Sequence, residues 1–165
     1  MWISHAERPL KVDELCYALA VELRSTDFNP DNVPSISTLL SCCQGLITVD
    51  KQESAVRLIH FTLTEYLVAR PETFGRHHST MAEMCLTYLN SEKVKALSID
   101  PPPHTPDKPI LEYCSLYWGV HAKRDLSELA RSLALELFQY YDGHISAKLL
   151  LSGYSRLESL ESQDI

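Results

Sequence analysis

Two short runs rich in β-branched residues, Leu46-Ile47-Thr48-Val49 and Ala55-Val56-Arg57-Leu58-Ile59, constrain this chain more than any other feature. They read as strands, and the polar residues 50–54 between them read as a turn, so the pair predicts one β-hairpin with Val56 and Leu58 on a shared face. Everything around the hairpin reads as helix. Residues 12–23 place Val12, Leu15, Cys16, Leu19 and Leu23 at helical spacing. Asp13 and Glu14 fall in the first turn, where a carboxylate favours the helix dipole. Residues 28–34, rich in Asn, Asp and Pro, read as a loop. Ser35 is placed to cap a short helix carrying Ile36, Leu39 and Leu40, and Gly45 to end it in the left-handed conformation. After the hairpin, Thr62-Leu63-Thr64-Glu65 matches a capping box, which predicts a helix with Leu63, Tyr66 and Leu67 on its buried face.

Weak punctuation at Pro71 and Gly75 separates a second half that reads as purely helical. Thr80-Met81-Ala82-Glu83 is another capping-box match, followed by the stripe Ala82, Cys85, Leu86 and Leu89. Residues 100–109 hold five prolines, which forbid helix and favour an extended loop. Pro109 fits the first turn of the next helix, which carries Leu111, Cys114, Tyr117, Trp118 and His121. Asp125 and Glu128 are expected to start another, with Leu126, Leu129, Ala130, Leu133, Leu137 and Tyr140 as its stripe. Asp142-Gly143 should stop it, a short helix should occupy 145–151, and the polar residues 153–165 should be frayed or disordered. No repeat of 20 to 50 residues is present.

Composition excludes several classes. The chain has 165 residues, 45% of them apolar, which suits one ordinary domain or two small ones. Its formal net charge is −7 and its longest basic cluster is Lys123-Arg124, a poor basis for neutralising phosphates. The longest apolar run, residues 15–21, is far short of the roughly 20 residues that span a bilayer. The N-terminus lacks the basic-then-apolar order of a secretory signal. The five cysteines, Cys16, Cys42, Cys43, Cys85 and Cys114, are odd in number and irregularly spaced. They read as free thiols in a reducing compartment rather than as a disulfide framework, so the chain is expected to be cytoplasmic.

Helix, helix, two-stranded wing, helix is the order of a winged-helix domain. Trp2-Ile3-Ser4-His5-Ala6-Glu7-Arg8-Pro9-Leu10 with Asp13-Glu14-Leu15, then Leu46-Ile47-Thr48-Val49, then Val56-Arg57-Leu58-Ile59-His60-Phe61-Thr62 with Glu65-Tyr66-Leu67, together resemble one known segment. It is the winged-helix segment that follows the NACHT nucleotide-binding domain in fungal STAND-type proteins, many of which continue into ankyrin repeats. The same segment type is known as the winged helix domain of GPI inositol-deacylase. Leu111-Glu112-Tyr113-Cys114-Ser115-Leu116-Tyr117-Trp118-Gly119 and Asp142-Gly143-His144-Ile145-Ser146 resemble the helical stretch between that winged helix and the repeats. The chain contains no Walker A loop and no ankyrin signature after Leu151. Beside the family, its first winged-helix helix looks shortened to residues 1–5. The expectation is a fragment or truncated relative whose uncovered apolar face promotes self-association.

The resemblance implies a role for His60. In related nucleotide switches a winged-helix histidine touches the β-phosphate of ADP and holds the closed state, and His60, at the end of the second wing strand, would take that place beside a NACHT domain. An imidazole N–H facing a phosphate is sensible chemistry. Phe61 follows where plant relatives of the motif carry an acid. The competing reading is a histidine packed at a strand–helix junction.

Other candidates have structural explanations. Residues 35–44, the recognition helix of a DNA-binding winged helix, hold no Lys or Arg, and only Gln44 is suited to base contact. In the wing, Lys51 and Arg57 are opposed by Asp50 and Glu53. Cys42 and Cys43 are adjacent, unlike zinc ligands, and suit packing. His77-His78 reads as a solvated loop. Trp118 with Tyr113 and Tyr117 suits core packing or an interface anchor. No Gly-x-Ser-x-Gly elbow is present.

The expectation is therefore a mainly α chain with a small β-hairpin: a winged-helix domain over 1–68, an α-helical domain over 69–151 and a flexible tail over 152–165. Its function would be non-catalytic, a regulatory and interaction module of a STAND signalling ATPase, with a NACHT domain and ankyrin repeats as partners and neither cofactor, metal, nucleic acid nor membrane. The alternatives are a DNA-binding winged-helix regulator and a small hydrolase.

Overall fold

A computed structural model describes residues 1–97 and 108–151. Most of the expected loop at 100–109 and the expected tail lie outside the described residues. The N-terminal half runs α1 (Trp2–His5), α2 (Val12–Leu19), a 3-10 turn (Pro30–Asn32), α3 (Ile36–Cys42), β1 (Ile47–Asp50), β2 (Ala55–Leu58) and α4 (Phe61–Val68). A second 3-10 turn (Pro71–Thr73) leads to α5 (His77–Leu89), α6 (Glu92–Lys95), α7 (Leu111–Arg124), α8 (Glu128–Gln139) and a third 3-10 turn (Tyr141–Gly143). Residues 145–151 are helical, as the sequence suggested.

The hairpin is antiparallel, pairing Ile47 with Leu58 and Asp50 with Ala55. Its alternation turns Val56 into the core and Arg57 outward. The chain just before α2 runs along the free edge of β2: Val56 N–H donates to Leu10 C=O and Val12 N–H to Ser54 C=O, both at 2.9 Å. This pairing pins the wing to the body of the protein and blunts its exposed edge. Glu14 fixes the same segment. Its buried carboxylate takes both guanidinium nitrogens of Arg8 at 2.7 Å and the Lys11 N–H at 2.8 Å.

One core serves both halves. Met81, Ala82, Cys85, Leu86 and Leu89 on α5 face Leu111, Tyr113 and Cys114 on α7, and Trp2, Leu15, Ala18, Ile47, Val56, Leu137 and Ile145 belong to the same buried cluster. Burying each of the larger side chains contributes about 1.5–3 kcal/mol relative to exposure. The stripe expected on α5 thus forms one side of the central seam; of that expected on α7, Leu111, Cys114 and His121 are buried, Tyr117 and Trp118 are half-buried, and Tyr113 joins the seam instead. Among the described residues, no helix is long and apolar enough to cross a membrane.

Several boundaries differ from the sequence expectations. The helix expected over 12–23 stops at Leu19; Ala20 N–H bonds tightly back to Tyr17 C=O, the chain turns, and Ala20 and Val21 enter the core while Leu23 leaves it. Thr62 does not cap α4. His60 does, with its ring nitrogen taking the Thr62 N–H. Leu63, Tyr66 and Leu67 do not form a buried face, because α4 contains no buried residue. His77-His78 is not a loop but the first turn of α5, which begins earlier than the capping-box match at Thr80. Gly75 turns the chain at φ +57°, and Ser79 and Thr80 hydroxyls donate back to Arg76 C=O instead of capping. Asp125 does not open α8. It is held by Arg76 at 2.6 and 3.1 Å, and Ser127 caps α8 through Ala130 N–H at 3.0 Å. Pro109 lies just before α7, whose N-cap is Ile110. Leu126 and Tyr140, expected on the apolar stripe of α8, are exposed. Ser35 and Gly45 behave as expected: Thr38 N–H donates to Ser35 Oγ at 3.1 Å, and Gly45 sits at φ +81°.

Candidate docking face around His60

The junction between β2 and α4 is built by backbone pairing. Ile59 N–H donates to Leu46 C=O at 3.0 Å, extending the hairpin by one pair, and His60 then stays extended at φ −143°, ψ 143°. In that conformation its Nδ1 lies 3.3 Å from Thr62 N and 2.8 Å from Thr62 Oγ1. A ring nitrogen that accepts a capping N–H is unprotonated, so the neutral imidazole carries its proton on Nε2. His60 is exposed. Its outward nitrogen is therefore a hydrogen-bond donor held in a fixed direction.

The surroundings are apolar and uncovered. Phe61, whose ring centre lies 4.6 Å from that of His60, is 66% exposed, and Ile59 is 61% exposed. Leu46, Tyr66 and Val68 are exposed as well. Phe61, Leu63, Tyr66, Leu67 and Val68 make α4 apolar on most of its circumference. Such a helix ordinarily lies inside a protein or against a partner. Neither α3 nor α4 has a buried residue. On α3, Ile36 and Leu39 pack against the core and Leu40 is exposed, whereas α4 presents Phe61, Tyr66 and Val68 outward.

The groups a DNA reader would use are arranged otherwise. Gln44 lies beyond the end of α3, with φ +47°. Arg57 is bound to Glu53 and lies 3.9 Å from Asp50. Asp50 itself accepts from Gln52 N–H and Glu53 N–H, which hold its carboxyl below the usual range. An open polar cleft of about 500 Å³ beside the wing is lined by both signs of charge, Arg8, Lys11 and Arg57 against Glu14, Glu53 and Glu112. Cys42 is exposed and Cys43 half-buried. Trp118 is half-buried and packs edge-on against Phe138 at 5.9 Å, while Tyr113 is fully buried.

A second cluster escaped the sequence reading. His5, His77, His78 and His121 converge where the end of α1 meets α5 and α7. His5 and His77 rings are 4.0 Å apart, His77 and His78 rings 4.5 Å. His78 Nδ1 is 2.9 Å from His121 Nδ1, and His121 Nε2 is 2.9 Å from Tyr113 Oη. Burial, reinforced by the neighbouring imidazoles, pushes His5 and His121 down to about 4 and lowers His78 as well. His121 lies on the apolar stripe of α7, which signals burial; nothing in the sequence names its partners. Among the described residues no group of three or more His, Cys, Asp and Glu side chains is arranged to hold a metal ion.

No curated protein and no solved structure matches the chain. A family match runs past Val68 into the start of α5. Residues 1–82 match the model of the GPI inositol-deacylase winged helix domain, and the N-terminal part of this chain is a winged-helix domain.

Proposed function

We propose that the chain is a non-catalytic regulatory module of a STAND-type signalling ATPase, in which the apolar face of α4 docks on a NACHT nucleotide-binding domain. The observation that carries this reading is an apolar helix with no buried residue, set beside a histidine whose free nitrogen is a donor. When ADP is bound, His60 Nε2–H would meet the β-phosphate while Ile59, Phe61 and Val68 bury against the nucleotide domain. Exchange for ATP would release the face, a two-state shift driven by differential contacts. The helical half would pass the movement on through the exposed apolar groups at the end of α8, Leu135 and Phe138 with the C-cap Tyr140, to ankyrin repeats. The cytoplasm, where such ATPases act, is the expected compartment. The acidic charge, the absence of Lys and Arg from α3 and the internal pairing of Arg57 weigh against a duplex as the partner.

The test is titration calorimetry of the chain with a NACHT domain from a protein that carries this segment, loaded with ADP or with a non-hydrolysable ATP analogue. The ADP form should bind at least about tenfold more tightly, a difference of about 1.4 kcal/mol. Phe61→Asp should abolish binding, and His60→Ala should erase the preference for ADP. Equal binding by Phe61→Asp and the parent chain, or a salt-sensitive mobility shift with duplex DNA, refutes the proposal.

A further inference from the structure

The ends of one hydrogen-bond chain dictate where its protons sit. Glu7 N–H donates to Tyr113 Oη at 3.1 Å, which directs the phenol's own proton to His121 Nε2, 2.9 Å away. His121 Nε2 therefore accepts, so the neutral ring carries its proton on Nδ1 and donates it to His78 Nδ1 at 2.9 Å. His78 then carries its proton on Nε2. Reversing the polarity would give the hydroxyl of Tyr113 two donors to accept, and leave its own buried proton without a partner in the chain. One arrangement satisfies the chain, and in it both imidazoles are neutral. A proton added to His78 sets two N–H donors face to face. One added to His121 sets N–H against O–H.

The surroundings supply no free counter-charge for such a proton. From the N-terminal segment come the Met1 amino group, His5, Glu7 and Arg8, whose guanidinium lies 5.4 Å from the Tyr113 ring centre; from the start of α5, Arg76 and His77; from α7, Tyr113, Tyr117 and Arg124; and from the turn after α7, Asp125. Both carboxylates are paired, Glu7 with Arg124 and Asp125 with Arg76, and although each favours a charge on His78, burial, His77 and Arg124 outweigh them. Glu7 Oε1 lies 3.9 Å from His121 Nδ1, beyond hydrogen-bond reach. His78 lies in the first turn of α5, where the helix dipole disfavours a cation. The C-terminal end of α7 favours one at His121, but Lys123 and Arg124 already occupy it.

We propose that this chain of groups is a proton-sensitive latch, holding the segment after α1 against α5 and α7 while its imidazoles are neutral and releasing it when they are protonated. The lowered pKa values of His5, His78 and His121 have the matching sign. The folded state binds fewer protons than the unfolded one, so the latch is fully closed above about pH 6.5 and opens as pH falls towards 4. Release frees the Glu7 amide and uncovers Trp2, which is buried edge-on against Tyr113 at 5.8 Å.

The experiment uses the full chain with Trp118→Phe, which leaves Trp2 as the sole tryptophan fluorophore. Between pH 7 and 4.5 its emission should move to the red while the helical circular dichroism persists. His78→Asn keeps an oxygen acceptor for His121 Nδ1–H but takes up no proton, and should move the midpoint to lower pH. Long-range ¹H–¹⁵N spectra of the unsubstituted chain at pH 7 should show His121 as the Nδ1–H tautomer and His78 as the Nε2–H tautomer. Reversed tautomers overturn the latch even if His78→Asn fails to fold. So does a Trp2 shift that is absent or coincides with loss of helical signal, or a His78→Asn titration identical to that of the parent.

Discussion

Replacing Glu14 with alanine removes the group that locks the wing's supporting segment. The carboxylate is buried, 6% exposed as a side chain, and takes two guanidinium hydrogen bonds and one backbone N–H. Losing the N3 side of the capping box costs about 0.5–2 kcal/mol, by analogy with N-cap deletions. Losing the charged pair would cost about 3–5 kcal/mol if Arg8 were equally buried. Arg8 is 30% exposed and can swing into water, which recovers much of that. The expected loss is therefore about 2–3 kcal/mol. For a chain of this length that corresponds to a fall in Tm of roughly 5–10 °C. Glu14→Gln, which still accepts from Lys11 N–H, should lose about half as much. Urea unfolding followed by circular dichroism measures both. A Glu14→Ala chain within about 0.5 kcal/mol of the parent would show that Arg8 and Lys11 find equivalent partners, and that Glu14 does not hold the segment beside β2.

Phe61→Asp should leave stability within about 0.5 kcal/mol, since Phe61 is 66% exposed, while abolishing docking on the nucleotide domain; a large fall in Tm would place Phe61 in the fold instead. Gly45→Ala should cost about 1–2 kcal/mol in chemical denaturation, because φ is +81° and the space around a new Cβ is open, so the penalty is purely conformational. Ser127→Ala should cost about 1 kcal/mol, read as a drop in Tm of roughly 2–4 °C, through loss of the bond from Ala130 N–H. Thermal stability of the unsubstituted chain should fall from pH 6.5 towards 4, because protonation of His5 and His121, both held down to about 4, is disfavoured by the folded state; a flat profile over that window contradicts the buried cluster.

Elements whose signal is local were legible in the sequence. The hairpin, the Ser35 cap, the left-handed Gly45 and the α5 and α7 stripes rest on β-branching, side-chain reach and 3.6-residue spacing, all confined to a few neighbouring residues. The misread boundaries involve competition for the capping groups, from a distant side chain at Asp125 and from a neighbouring backbone carbonyl at Thr80. Asp125 is drawn off by Arg76, and Ser79 and Thr80 bond back to Arg76 C=O, so motifs that fit a cap locally serve another contact.

The candidate site divides the same way. The sequence by itself determined that His60 ends the second wing strand beside an apolar helix, and that the N-terminal half is a winged helix within a mainly helical chain. Only the tertiary structure decided that Phe61, Tyr66 and Val68 of α4 stay exposed, that His60 caps it through Nδ1, and that four histidines from three segments meet beside Tyr113. Periodicity reports which residues could be buried together. Which face finds a partner within the chain, and which charges are cancelled at long range, depends on packing between segments many residues apart.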